Sequence, residues 1–193
     1  MPEESLSRLL KIRPFMRFWL ARLGGIAANQ MLMVAVSWHL YDITGSAWDL
    51  GLVGLFQFLP ALVMTLPAGH VADRLHRGRI FATCMAAQAA LALLLVAATH
   101  GGFATRGLIF GVSVVLGMAR AFQMPAQQAL TPLLVPPALL PRAMAFSASG
   151  VQAAIIGGPA LGGAFYALGP GVVYGACVLL SGAASLLMAR VRY

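Results

Sequence analysis

The run Gly69-His70-Val71-Ala72-Asp73-Arg74-Leu75-His76-Arg77-Gly78-Arg79 sets one carboxylate and three guanidinium groups between two long apolar stretches. A carboxylate there can accept hydrogen bonds from a neighbouring helix N-terminus, and the guanidinium groups can bridge to carboxylates or helix C-termini elsewhere. Pairs of that kind latch one side of a protein shut in one state and release it in another. The competing reading is a set of positive charges that fixes membrane topology, with one incidental aspartate. Arg120 is the second candidate. At about 1.5 Å per residue from Gly107 it lies about 20 Å into an apolar run. An arginine at that depth costs about 3 kcal/mol or more unless it faces a partner or a watery cavity, and Gln123 stands one turn further on. Against this stands a side chain that snorkels to the interface. The third candidate is Gly157-Gly158-Pro159-Ala160-Leu161-Gly162-Gly163. Gly158 and Gly162, four residues apart, allow close helix contact, and Pro159 bends the rod.

Asn29, Gln30, Gln57, Gln88 and Gln152 are uncharged amides inside apolar runs. Such groups need partners or water, so Asn29, Gln30, Gln57 and Gln152 are candidates to face a central cavity, with helix–helix adhesion as the alternative for each. Arg22, a turn into the first run, reads as a snorkelling residue. Trp38, His39 and Tyr41 read as an aromatic interface belt, and Asp42 and Asp49 as solvated loop acids. Cys84 and Cys177 fall inside apolar runs and read as small core residues. No nucleophile–base pair, metal cluster or nucleotide loop is evident, so no enzyme activity, cofactor or metal is expected.

The elements that must position these groups follow from composition. The chain is 60% hydrophobic and 9% charged, more apolar surface than a soluble domain of 193 residues can hide, so lipid is the implied solvent. Thirteen basic residues against five acidic ones raise the question of nucleic acid. They are scattered between apolar runs, however, and so read as topology signals with no nucleic-acid partner. A hydrocarbon core of roughly 30 Å takes about 20 helical residues. Six runs reach that length: 18–40, 50–69, 80–99, 107–125, 143–168 and 172–189. Arg8, Lys11, Arg13 and Arg17, then Arg74, Arg77 and Arg79, then Arg142, Arg190 and Arg192 all fall on one side. Arg106 alone falls on the other, which puts both termini in the cytoplasm. The segment 127–142, with Pro132, Pro136, Pro137 and Pro141, reads as a broken cytoplasmic connection with a short interfacial piece. Residues 5–17 read as a surface segment with Leu6, Leu9, Leu10 and Phe15 toward lipid. The domain expectation is therefore a cytoplasmic segment at 1–17, a six-helix unit at 18–189 and a cytoplasmic stretch at 190–193.

The charged run resembles the loop between the second and third helices of the major facilitator superfamily (MFS), Gly-x-Leu-Ala-Asp-Arg-x-Gly-Arg-Arg, with His76 and Gly78 departing from it. Leu116-x-x-x-Arg120-x-x-Gln123 resembles the superfamily's fourth-helix motif, with Met124 in place of the usual glycine. Gly158-Pro159-x-x-Gly162-Gly163 resembles part of the fifth-helix antiporter motif of drug exporters. Leu40–Ser46, Leu59-Pro60, Pro67–Gly69 and Met124–Pro132 resemble the branch of enterobactin exporter-like proteins and drug efflux carriers. The resemblance implies an all-α membrane protein: six transmembrane helices in two inverted three-helix repeats, the N-terminal half of an MFS transporter in the cell membrane, with 190–193 as the start of its central linker. It further implies alternating access, a small-molecule substrate and protons as coupling ion. In that scheme Gly69, Asp73, Arg74, Arg77 and Arg79 gate, Arg120 and Gln123 couple, and a C-terminal half or a second copy completes the cavity. A truncated remnant or non-transporting interaction subunit is the reading from another class.

Overall fold

The structure, a computed structural model, describes residues 8–191, with Asp73 described by its backbone alone. Among the described residues six long helices follow one another: α1 Arg13–Thr44, α2 Ala47–Arg74, α3 Arg77–Gly101, α4 Arg106–Leu134, α5 Leu140–Tyr166 and α6 Pro170–Ala189. Each is long and apolar enough to cross a membrane. Local signals set their limits. Pro14, Pro141 and Pro170 occupy first turns, where no amide donor is needed. Gly45 and Gly102 close α1 and α3 at φ 64° and 69°, left-handed conformations in which their amides reach back to the carbonyls of Tyr41 and Ala98. The Thr105 hydroxyl accepts from the Leu108 amide and caps α4.

The helices run further than hydropathy alone marks. α2 continues through the charged run to Arg74 and α3 resumes at Arg77, so the expected charged loop is only Leu75-His76. A basic residue in a last turn complements the helix macrodipole, which favours extending α2 beyond its apolar stretch. α4 passes through Pro125 and Pro132 to Leu134, which corrects the expectation that 127–142 is broken. Its packing against α2 and α3 holds the rod together at the missing amides. Only residues 135–139 interrupt the helices there, with a 3-10 turn at Pro137–Leu139. The N-terminal segment also differs. Leu9 and Phe15 are fully buried in the bundle instead of facing lipid, and only Leu10 is exposed; Leu6 lies outside the described residues. Packing against α3 and α6 offers these side chains the same dry surroundings as lipid, with closer contacts.

α1 packs on α5 and α6, α2 on α4, and α3 on α6 and α4. Exchanging the first three helices with the last three maps α1–α5 onto α4–α2, and α1–α6 onto α4–α3. It leaves α3–α6 unchanged. Three spans per repeat reverse direction between the copies, so this is the pairing of two inverted three-helix repeats, half of an MFS fold. The end carrying Arg13, Arg74, Arg77 and Arg142 is here called the basic end.

Two large apolar clusters fill the bundle, with a smaller one of Ala72, Ile80, Cys84 and Ala126. One, at the basic end, joins Phe15, Phe18, Phe81, Met85, Leu130 and Met188. The other, at the opposite end, joins Met31, Leu40, Leu95, Ile109, Val173 and Tyr174. Every helix contributes a buried or half-buried polar group: Arg22 and Asn29 from α1, Gln88 from α3, Gln123 and Gln127 from α4, Ser147 from α5 and Ser181 from α6. α2 adds the half-buried Gln57. Large apolar side chains such as Leu66, Leu179 and Ile156 point outward, as a hydrocarbon solvent requires.

Candidate functional site

Several of these polar groups line a cavity of about 350 Å³ between α1, α4 and α5. Arg22, Asn29 and Gln30 line it from α1; Arg120, Gln123 and Gln127 line it from α4; Val151 and Ile155 close it from α5. Spacings of seven and eight residues in the first set, and of three, four and seven in the second, put each set on one helix face. The Arg22 Nε and the Gln127 Oε1 are both buried and have no hydrogen-bond partner among the described residues. No carboxylate among the described side chains lines the cavity.

A second cavity of about 640 Å³ lies between α2 and α4, with Met33 of α1 at its edge. Its walls are mainly apolar, with Phe58, Leu62 and Met33 joined by Gln57 and Thr65. Arg120, Met124 and Gln128 line both cavities, so Arg120 stands on their common wall. Two close backbone approaches frame the site. A Cβ on Gly117 would strike the Gln57 carbonyl, and one on Gly162 would come 2.9 Å from Met31 Cα. Gly158 likewise faces Gln30, 2.6 Å from its Cβ. Gly163 meets nothing within 4 Å, and Pro159 lies within α5. Only glycine allows α4 to sit this close to α2, and α5 to α1.

Of the expected cavity amides, Asn29 and Gln30 line the first cavity and Gln57 the second. Gln152 is exposed and lines neither, because the turn of α5 that faces the cavity presents Val151 and Ile155. Gly69 lines the larger cavity. Arg74 and Arg79 are exposed and Arg77 half-buried; the Asp73 side chain lies outside the described residues. His76 and Arg79 border a cavity of about 480 Å³ with Met188 and Val191 at the basic end. There Arg17 also donates to the Arg190 carbonyl at 3.3 Å.

Three further expectations change. Arg22 turns toward Arg120's cavity instead of snorkelling outward. Its spacing of seven and eight residues to Asn29 and Gln30 was the available signal. Asp49 is buried and pairs with Arg106 at 2.6 Å, with the Arg106 guanidinium 5.3 Å over the Phe110 ring. An ion pair shed of water on one side replaces the solvated loop acid, because the outer turns of α2 and α4 pack together. His39 is buried, its Nδ1 3.0 Å from the Tyr174 hydroxyl, whereas Trp38 and Tyr41 are exposed. Tyr166 donates to Asp42. Cys84 and Cys177 are buried free thiols.

Six helices long and apolar enough to cross a membrane, paired as two inverted triplets around a polar cavity, define a multi-pass membrane protein of the transporter class. Residues 6–192 match the family described as transmembrane secretion effector, and the chain belongs to that family of the major facilitator superfamily. It is similar to macrolide efflux protein A of Streptococcus pyogenes, and to the same protein of a serotype M6 strain, at 30% identity over 159 residues in each case. Those matches cover 80% of this chain and 38% of the relatives' length. The family is one of transporters, which is not an enzyme class.

Proposed function

We propose that the chain is the N-terminal six-helix half of a proton-linked exporter of drugs or siderophore-like small molecules, working by alternating access in the cell membrane. The observation that carries this reading is the pair of adjoining cavities with Arg120 on their common wall, at mid-membrane depth where the two inverted repeats meet. A second half, from the same polypeptide or another copy, closes the cavity. The greater length of the macrolide efflux relatives supports this. The basic end faces the cytoplasm, following the excess of arginine there. Arg74, Arg77 and Arg79 then form the cytoplasmic latch with Asp73 and Gly69, and Arg120 with Gln123 couples ion to substrate.

The test is uptake of a radiolabelled macrolide and of an aromatic carboxylate into everted vesicles holding the full-length protein, with an imposed pH gradient. Gradient-driven accumulation that Arg120→Ala abolishes and Asp73→Asn slows is expected. Accumulation of neither compound defeats the export reading, and accumulation indifferent to the gradient defeats proton linkage. Transport by this chain alone as a monomer defeats the half-transporter reading.

A further inference from the structure

The arginines of the smaller cavity raise a question that export alone does not answer: what balances them. Arg22 and Arg120 reach the same space of about 350 Å³ from facing helices. The remaining polar lining is amide: Asn29, Gln30, Gln123 and Gln127. The two carboxylates whose side chains are described are committed elsewhere, Asp49 to Arg106 and Asp42 to Tyr166, both at the opposite end of the bundle. Arg22 is half-buried and Arg120 exposed; a guanidinium held within a membrane-spanning helix without an opposite charge is costly, and two lining one cavity add mutual repulsion. The buried Arg22 Nε and Gln127 Oε1 without partners mark this as the place where hydrogen bonds remain to be made.

We propose that Arg22 and Arg120 together hold the anionic head group of the transported compound, so that the cavity selects amphipathic anions. The planar guanidinium fork matches a carboxylate, catecholate or phosphate through paired N–H donors. The neighbouring amides donate to the lone pairs that the arginines leave, and Gln127 Oε1 accepts from a hydroxyl or N–H on the ligand. The body of the molecule lies beyond Arg120 in the adjoining cavity of about 640 Å³, against Phe58, Leu62 and Met33. That volume is within the roughly 300–1,000 Å³ of drug-sized sites. Head and body thus enter different rooms, and Arg120 stands in the doorway between them. This deepens the export reading and rests on it for the word "transported"; the anion site itself does not.

Binding separates the two. The full-length protein in lipid nanodiscs is titrated with 1-naphthoate, with neutral 1-naphthamide and with cationic 1-naphthylmethylammonium, at constant salt. Naphthoate is expected to bind at least about tenfold tighter than the amide, the equivalent of one charge-assisted hydrogen bond. The cation is expected to bind least. Arg22→Gln and Arg120→Gln each erase the preference for naphthoate over naphthamide, which still binds, and Arg120→Lys keeps part of that preference. The amide control shows that each variant still holds a folded cavity. Equal affinities for naphthoate and naphthamide, or a double glutamine variant that binds naphthoate as the parent does, overturn the proposal. Either result means that a carboxylate from elsewhere in the assembly already neutralises the pair. Naphthoate binding without vesicle uptake leaves the head-group site standing and removes the export reading. Gradient-driven uptake of a macrolide without naphthoate preference keeps export and removes the anion site.

Discussion

Arg106 and Arg120 lie on one helix, fourteen residues and about 21 Å apart, and meet opposite conditions. Arg106 begins α4, pairs with Asp49 at 2.6 Å and covers the Phe110 ring, with half its side chain still in contact with solvent. Arg120 sits halfway along the same rod, lines two cavities and has no carboxylate beside it among the described residues. The first arginine has everything a cation needs for a fixed structure. The second has donors to spare where spare donors are expensive. A helix whose end is neutralised and whose middle is not has its stability invested at the rim and its recognition at the centre.

That contrast can be broken most sharply at Gly117, between the two arginines. Gly117→Leu drives a side chain into the Gln57 carbonyl, and overpacking of this kind costs about 3 kcal/mol or more because backbone cannot yield. Loss of monodisperse protein, or a large fall in melting temperature in detergent, is expected. Gly111→Leu, with open space around it, is expected to change neither. If both behave alike, α2 and α4 are not in close backbone contact and the two ends of α4 are not held by one interface.

The next effect is at Arg120. Arg120→Gln is expected to lower naphthoate affinity at least about tenfold, with a melting temperature unchanged or raised, since an unmatched charge is removed from the membrane. Gln123→Glu sharpens the comparison by giving Arg120 a carboxylate partner, as Arg106 has in Asp49 of α2, but one turn along its own helix. It is expected to raise stability by about 0.5 kcal/mol, in the range of helical ion pairs, and to abolish anion binding. A stabilised variant that still binds naphthoate would show that Arg120 is not the head-group ligand. The smallest effect belongs to the rim. Arg106→Gln strands a buried carboxylate and is expected to cost about 1 kcal/mol, Asp49→Asn less, and the double variant less than the sum. Denaturation of the four proteins as a double-mutant cycle measures the coupling, which should weaken in high salt because Arg106 is half exposed.

How much of this was legible in the sequence depended on whether the signal was local. Six spans and all-helical class follow from runs of apolar residues, and the major facilitator motifs named the family. Arg120, Asn29, Gln30 and Gln57 stood out because a polar residue in an apolar run is conspicuous by itself. Arg22 did not, since its position near a helix end had an adequate explanation until α4 was seen to face it. Asp49 and Arg106 are separated by more than fifty residues, and only the packing of α2 on α4 makes them a pair. Gly117 was one glycine among 21; which glycine has backbone behind it depends on the neighbouring helix. The helices outran their hydropathy at Arg74 and Leu134 because hydrogen bonding, and not apolarity, decides where a helix stops once it leaves the lipid.

The glycine contacts have a mechanical consequence. Where α4 meets α2 at Gly117 and α5 meets α1 at Gly162, the touching surfaces are main chain, with no side chain interlocked between them. Interdigitated side chains must change rotamer before helices can turn past one another, whereas two smooth backbones need not. There is one such point in each of the two helix pairs that the internal repeat relates, so any turning of these rods past one another meets no rotamer barrier there.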